Sequence, residues 1–213
     1  RGFCWDLAAN ADPDINDSKV EETGTFSTGA YTGSITGLTA GTQYKVRAYA
    51  TNSVGTSYGS VQTFYTLSGE PTNHAASFTA TANSQTQIDL AFSAASTITN
   101  AAGYLILQRS GAAPTGAPAD ATSYSVGNTI GDGTVAAIIT NTADVSKSIT
   151  GLSAGTQYYF ALFPYNGSAS TINYKTDGVV PTANNTTLAP LATTSEVSGP
   201  ALGSQPNPIL ISS

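Results

Sequence analysis

The sequence predicts an all-β chain of two tandem β-sandwiches, and three observations carry that reading. Charged residues are only 9 % of 213 positions, against about 25 % in ordinary soluble domains, so long helices laced with i,i+4 ion pairs are not expected. The segment SITGLTAGTQYKVRAYATN at 34–52 returns as SITGLSAGTQYYFALFPYN at 148–166, with eleven of nineteen positions identical at an offset of 114. Such repetition marks two copies of one structural unit. In the first copy Tyr44, Val46, Ala48 and Ala50 alternate with Lys45, Arg47, Tyr49 and Thr51, the period of two that a half-buried strand requires.

Taken in chain order, residues 1–68 open on a strand bearing Phe3, Cys4 and Trp5, followed by an Asn/Asp-rich turn, the repeat strand from Tyr44 and a closing TFYTL. Just ahead of the repeat strand, Leu38, Gly41, Thr42 and Tyr44 have the L-x-x-G-T-x-Y spacing of a tyrosine corner, and Leu152, Gly155, Thr156 and Tyr158 repeat it. In such a corner the ring packs inward at the start of a strand while the hydroxyl reaches back to upstream backbone. With Trp5 on an upstream strand, this pattern resembles the fibronectin type III family of seven-stranded β-sandwiches. RGFCWD, GLTAGTQYKVRAYATNSVGTSYG and TFYTL are similar, more closely, to modules repeated in large secreted and surface proteins of Bacteroidetes-type bacteria.

The resemblance covers about residues 1–67 and 72–188. It implies two strands, roughly 25 to 30 residues, ahead of the strand that bears Trp5. The first module is therefore expected to lack its opening strands, which leaves Phe3, Trp5 and Tyr44 beside a half-built core. A chain without a single Met reads as an internal or processed piece of a longer one, whose relatives continue into a further β-domain.

Residues 69–190 read as a complete second sandwich. Strands are expected at 75–82, 87–94, 103–109, 147–151, 157–165 and 179–188, each bounded by Gly, Asn, Ser or Pro. The long stretch 110–144 begins as a loop and continues through 123–126 and 135–140, an inserted hairpin turning at Gly131, Asp132 and Gly133. Residues 191–213 read as a linker that ends in one short strand at Ile209, Leu210 and Ile211.

The chemistry-bearing residues point away from catalysis. One His and one Cys cannot build a Cys/His zinc cage. His74 sits at the junction of the modules, and Cys4 flanks Trp5 with its side chain on the opposite face, with no His or Lys neighbour to lower its pKa. Asp12, Asp14 and Asn16 in DPDIND place oxygen donors at alternate positions, a spacing that Ca²⁺ favours, but Asp17 stands where a calcium loop wants Gly and Thr23 where it wants Glu. A solvated Asx turn is the plainer expectation. No cofactor beyond that weak Ca²⁺ candidate is expected.

A different question comes from Tyr159, Phe163 and Tyr165, which lie on the strand face opposite Tyr158, Phe160 and Leu162, while GYLILQR is likewise apolar on both faces. Either the insertion, through Val135, Ile138 and Ile139, folds over that sheet, or the rings form a platform for a glycan or a protein partner. The residues point to a non-catalytic structural or adhesive module, and the resemblance implies a spacer, stalk or filament unit of an extracellular, secreted or surface-attached bacterial protein. The alternative is an accessory or carbohydrate-binding module of a secreted hydrolase. Partners are expected to be other protein modules, including copies of the chain joined head to tail through a donor strand at Ile209, Leu210 and Ile211. A net charge of −6 with seven Lys and Arg cannot neutralise a nucleic-acid backbone, and no apolar run reaches the ~18 residues that span a bilayer.

Overall fold

The computed structural model describes residues 1–94 and 100–191. Five strands form the first module: β1 (Gly2–Leu7), β2 (Ser18–Glu21), β3 (Gln43–Thr51), β4 (Thr56–Tyr58) and β5 (Gln62–Tyr65). They make one antiparallel sheet in the order β2-β1-β3-β4, with β5 also on β3. The register sets Phe3 against Ala48, Trp5 against Val46 and Leu7 against Tyr44, so these six share one face. Cys4, Arg47 and Tyr49 occupy the other.

The alternation predicted that Ala48 and Ala50 would be the inward residues at the far end of β3. Both are exposed, and Tyr49 is buried instead. The loop after β1 explains the change: buried Pro13 accepts from the Cys4 thiol at 3.4 Å and from Arg47 Nε, while the Arg47 guanidinium lies 4.0 Å over the Tyr58 ring. The rear face of the sheet thus gains its cover from residues 8–17.

In the second module, β6 (Ala76–Ala82), β7 (Gln87–Ser93) and β11 (Ser146–Thr150) form one sheet in the order β11-β7-β6. Facing it is a sheet of β8 (Gly103–Ser110), β9 (Thr129–Ile130), β10 (Gly133–Ile139), β12 (Gln157–Asn166), β13 (Asn173–Tyr174) and β14 (Thr182–Thr186), ordered β13-β12-β8-β10-β9 with β14 on β12. Ile88, Leu90 and Phe92 of β7 pack with Tyr104, Ile106, Phe160 and Leu162 between the sheets. This is a β-sandwich with its core between two antiparallel layers.

The larger sheet is buried on its outer face as well, as the two-sided apolar pattern of β8 and β12 requires. There Leu105, Leu107, Ala161, Phe163 and Tyr165 pack with Ile172, Tyr174 and Tyr124. The cover is stitched by backbone and side chain: Ala121 N donates to Ile172 O at 2.9 Å, Tyr174 N to Asp120 Oδ1 at 2.8 Å and the Tyr174 hydroxyl to Thr122 O at 3.1 Å. The expected strand at 123–126 is loop, and the hairpin partner is β9. Nor does 135–139 lie across the sheet. It extends the sheet as β10, whose bulge between Val135 and Ala137 sends Val135 to the outer core and Ala137 to the inner one.

The joint between the modules is short and bonded on both sides. Thr66 is held by the first module, with its N–H on Thr42 O at 3.0 Å and its hydroxyl on Thr39 O at 2.6 Å. Two residues later the second module takes over: Ser68 N donates to Thr171 O at 2.7 Å, Asn173 to Ser68 O at 2.8 Å and Asn166 to Gly69 O at 2.9 Å. Lys175 then pairs with Glu70 and Asp177, and its pKa is raised, first by its bond to Asp177.

Candidate functional site

Both tyrosine corners are present and nearly superimposable in chemistry. The Tyr44 hydroxyl accepts from Thr39 N at 2.9 Å and the Tyr158 hydroxyl from Ser153 N at 3.0 Å. Each corner is closed by a threonine from the last strand region: Thr42 N donates to Thr66 Oγ1 at 2.9 Å, and Thr156 N to Thr187 Oγ1 at 3.0 Å. Gly41 and Gly155, at φ +65° and +59°, provide the left-handed turn that brings each loop round. These closing threonines escaped the sequence reading, although both stand in a Thr-Leu pair ending a module.

The modules part company at the residues just before the corner. Residues 148–152, Ser-Ile-Thr-Gly-Leu, enter β11 and pair with β7, so that Ile149 lies opposite Ile88 and Leu152 N donates to Thr86 O at 3.1 Å. Residues 34–38 are the same five amino acids, yet no strand occurs between 22 and 42. Among the described residues nothing corresponds to β6 and β7 in front of the first sheet. Trp5 is 9 % exposed and Tyr44 is 7 % exposed, but Val46 is only half-buried and Leu7 is 42 % exposed.

In front of that sheet is a cleft of about 400 Å³ lined by Phe3, Gly33, Ile35, Val46, Arg47, Ala48, Gly59, Ser60 and Gln62. Its wall is almost wholly apolar. Tyr31 stacks on Phe3 at 5.2 Å, and Arg1 lies 4.9 Å over the Tyr31 ring. This is the candidate functional surface, positioned by the β1–β3 register and by the chain of residues 31–38 crossing before it.

The sequence-predicted site residues fall elsewhere. Asp14 Oδ1 accepts from Asn16 N at 2.7 Å, Asp17 Oδ2 from Asp14 N at 2.7 Å, and Asp12 pairs with Lys45 at 3.5 Å. That is an Asx-turn arrangement, and among the described residues no three His, Cys, Asp or Glu side chains converge as a metal-ion group. Phe163 and Tyr165 lie inside the outer core of the second module, so of the three proposed platform rings only Tyr159 reaches solvent. His74 Nε2 sits 2.8 Å from Asp177 O. Cys4 is buried, and that burial pushes its thiol pKa up. Ile209, Leu210 and Ile211 lie outside the described residues.

No family model matches the sequence, and no curated protein matches it. Solved structures do. The chain is similar to the chicken CNTN1 FN1–FN3 domains at 16 % identity and a TM-score of 0.43, over 88 % of this chain and 55 % of that one. It is also similar to a computationally redesigned β-sandwich protein, at 16 % identity, TM-score 0.37, 56 % of this chain and 90 % of that one. A third likeness is to FN3tt, at 16 % identity and TM-score 0.33, over 56 % of this chain and 94 % of that one. The chain thus spans about half the length of the chicken segment it matches.

Proposed function

We propose that this chain is a non-catalytic structural segment, a spacer or stalk of an extracellular bacterial surface protein whose partners are other protein modules. The observation that carries this reading is the bonded joint: Thr66 belongs to one module and Ser68 to the next, with a single residue between them. A linker that short, its backbone held on both sides, holds two modules at a set spacing, which is what a stalk needs. The low share of charged residues, 9 % of the chain, agrees with a mechanical task. No helix among the described residues is long and apolar enough to cross a membrane.

The experiment is a distance distribution between spin labels at Val54 and Val126, one exposed site in each module, introduced as cysteines with Cys4→Ala. A spacer gives one narrow distance, broadened when Asn166 and Asn173 are both replaced by Ala. A broad distribution in the parent chain contradicts the reading.

A further inference from the structure

We propose that the Asn166-Gly167 pair is a self-modification site: the Asn166 side-chain amide is lost to water as ammonia, and the acidic residue that remains lets go of Gly69 at the joint. What this does to module spacing rests on the spacer reading; the chemistry does not.

Three features meet at this pair. Asn166 is the one Asn in the chain that is followed by Gly, and Gly has no side chain to hold its nitrogen away from the neighbouring amide carbon. Gly167 N already donates to Asn166 Oδ1 at 2.8 Å, which sets the nucleophilic nitrogen against the group it attacks. The fold also requires Gly there, because φ is +77° and a Cβ would run into Ser68 Oγ and Thr171 O. The joint thus carries the labile pair as a condition of its own packing.

Asn185 is the internal control. Its Nδ2 donates to Ala80 O at 2.9 Å and its Oδ1 accepts from Thr186 N at 2.8 Å, the same two bonds that Asn166 makes with Gly69 O at 2.9 Å and Gly167 N. Both residues are half-buried. Only the next residue differs in kind, and the branched side chain of Thr186 crowds the approach.

The step balances with water alone. Gly167 N gives its proton to solvent base and bonds to Asn166 Cγ; the Cγ–Nδ2 bond breaks, and ammonia leaves with a proton returned from solvent. Water then opens the cyclic imide, at Cγ to leave aspartate or at the main-chain carbonyl to leave isoaspartate. Either product carries a carboxylate, which accepts hydrogen bonds and donates none, so Gly69 O loses its donor and faces an anion. Isoaspartate also lengthens the end of β12 where Asn166 pairs with Asn173, and Asn173 is the residue that holds Ser68 O.

The test holds the full chain in mildly alkaline buffer, which promotes the first proton loss. Residues 166 and 185 are followed by tandem mass spectrometry, and Ser68, whose N–H donates to Thr171 O, by amide exchange. Asn166 is expected to convert about ten-fold or more faster than Asn185, and the Ser68 amide to exchange about ten-fold or more faster in the converted fraction. Asn166→Asp installs one product outright and should show that faster Ser68 exchange from the start; the aged parent chain gives the same readout with no substitution. Asn166 that keeps its amide as long as Asn185 overturns the proposal, and so does conversion that leaves Ser68 exchange unchanged. A distance distribution between Val54 and Val126 that is broad before any conversion counts against the spacer reading alone, because both readouts here are local to the joint.

Discussion

Residues 34–38 and 148–152 are one pentapeptide in two surroundings, and they adopt different structures. In the second module it joins a three-stranded sheet, buries Ile149 and Leu152, and hands its last N–H to Thr86. In the first it makes no strand, and Ile35 and Leu38 are half-buried. Intrinsic propensity is equal by construction, so the difference comes from the strand alongside. β-propensity measures fit to a pleated neighbour rather than a preference of the backbone alone. The tyrosine corners downstream form identically, because their bonds are local to each loop and to the threonine that closes it.

This comparison can be broken by substitution at equivalent positions. Phe160→Ala removes a fully buried ring from between two sheets and is expected to cost about 3–5 kcal/mol. Val46→Ala, its counterpart, is expected to cost about 1 kcal/mol or less, since that side chain is already partly wet. Urea unfolding read by circular dichroism for the second module and by Trp5 emission for the first separates the two effects. Equal losses would mean that the first sheet is as well covered as the second.

Tyr44→Phe and Tyr158→Phe sharpen the comparison from the other side. Each removes one acceptor and leaves a backbone N–H, on Thr39 or Ser153, without it. Both are expected to cost about 1 kcal/mol, and the two values should agree within about 0.5 kcal/mol if the corner is independent of the facing sheet.

A smaller effect belongs to acid. Asp89 is held below its ordinary value of 3.8 by hydrogen bonds from Ser148, Gln87 and Asn83. Ser148 lies on β11 and Asp89 on β7, so this carboxylate ties together a pair of strands that has no counterpart beside the first sheet among the described residues. Asp132 is held low too, chiefly by the Thr115 N–H and hydroxyl and then by Arg109, whose Nη1 donates to it at 2.7 Å. A depressed folded pKa means that the contribution is fully present above the unfolded value and is lost as pH falls through the lower folded one. Acid unfolding of the second module should therefore steepen below about pH 4, and Asp89→Asn should flatten that slope. A slope unchanged by Asp89→Asn would remove the carboxylate from the account.

Much of this architecture was legible in residues. The repeat marks both β3 and β12, and the L-x-x-G-T-x-Y spacing marks both corners. What escaped was the choice between two plausible faces. Ala48 and Tyr49 both suit a strand, and only the distant loop carrying Pro13 decides that Tyr49 is the buried one. In the same way, the two-sided apolar pattern of β8 and β12 announced a second cover. It could not say that residues 120–124 and 172–174 supply it, because those segments meet through single hydrogen bonds without periodicity. Of the candidate cleft, Phe3 was legible as an inward residue of β1, while Trp5 and Tyr44 are buried beside it and do not line it; Ile35 is carried there by residues 31–38 and Gly59 and Gln62 by the β4–β5 segment, none with a local signature.

Among the described residues only one of the two identical pentapeptides has a strand alongside it, and amide exchange on a single sample measures what that strand contributes. The two pentapeptides lie in the same molecule, at the same pH and temperature. The account predicts that the amide of Ile149, which faces Ile88 of β7, exchanges about 100-fold or more slowly than that of Ile35, since β11 opens only with its sheet. Equal protection at the two sites would contradict it.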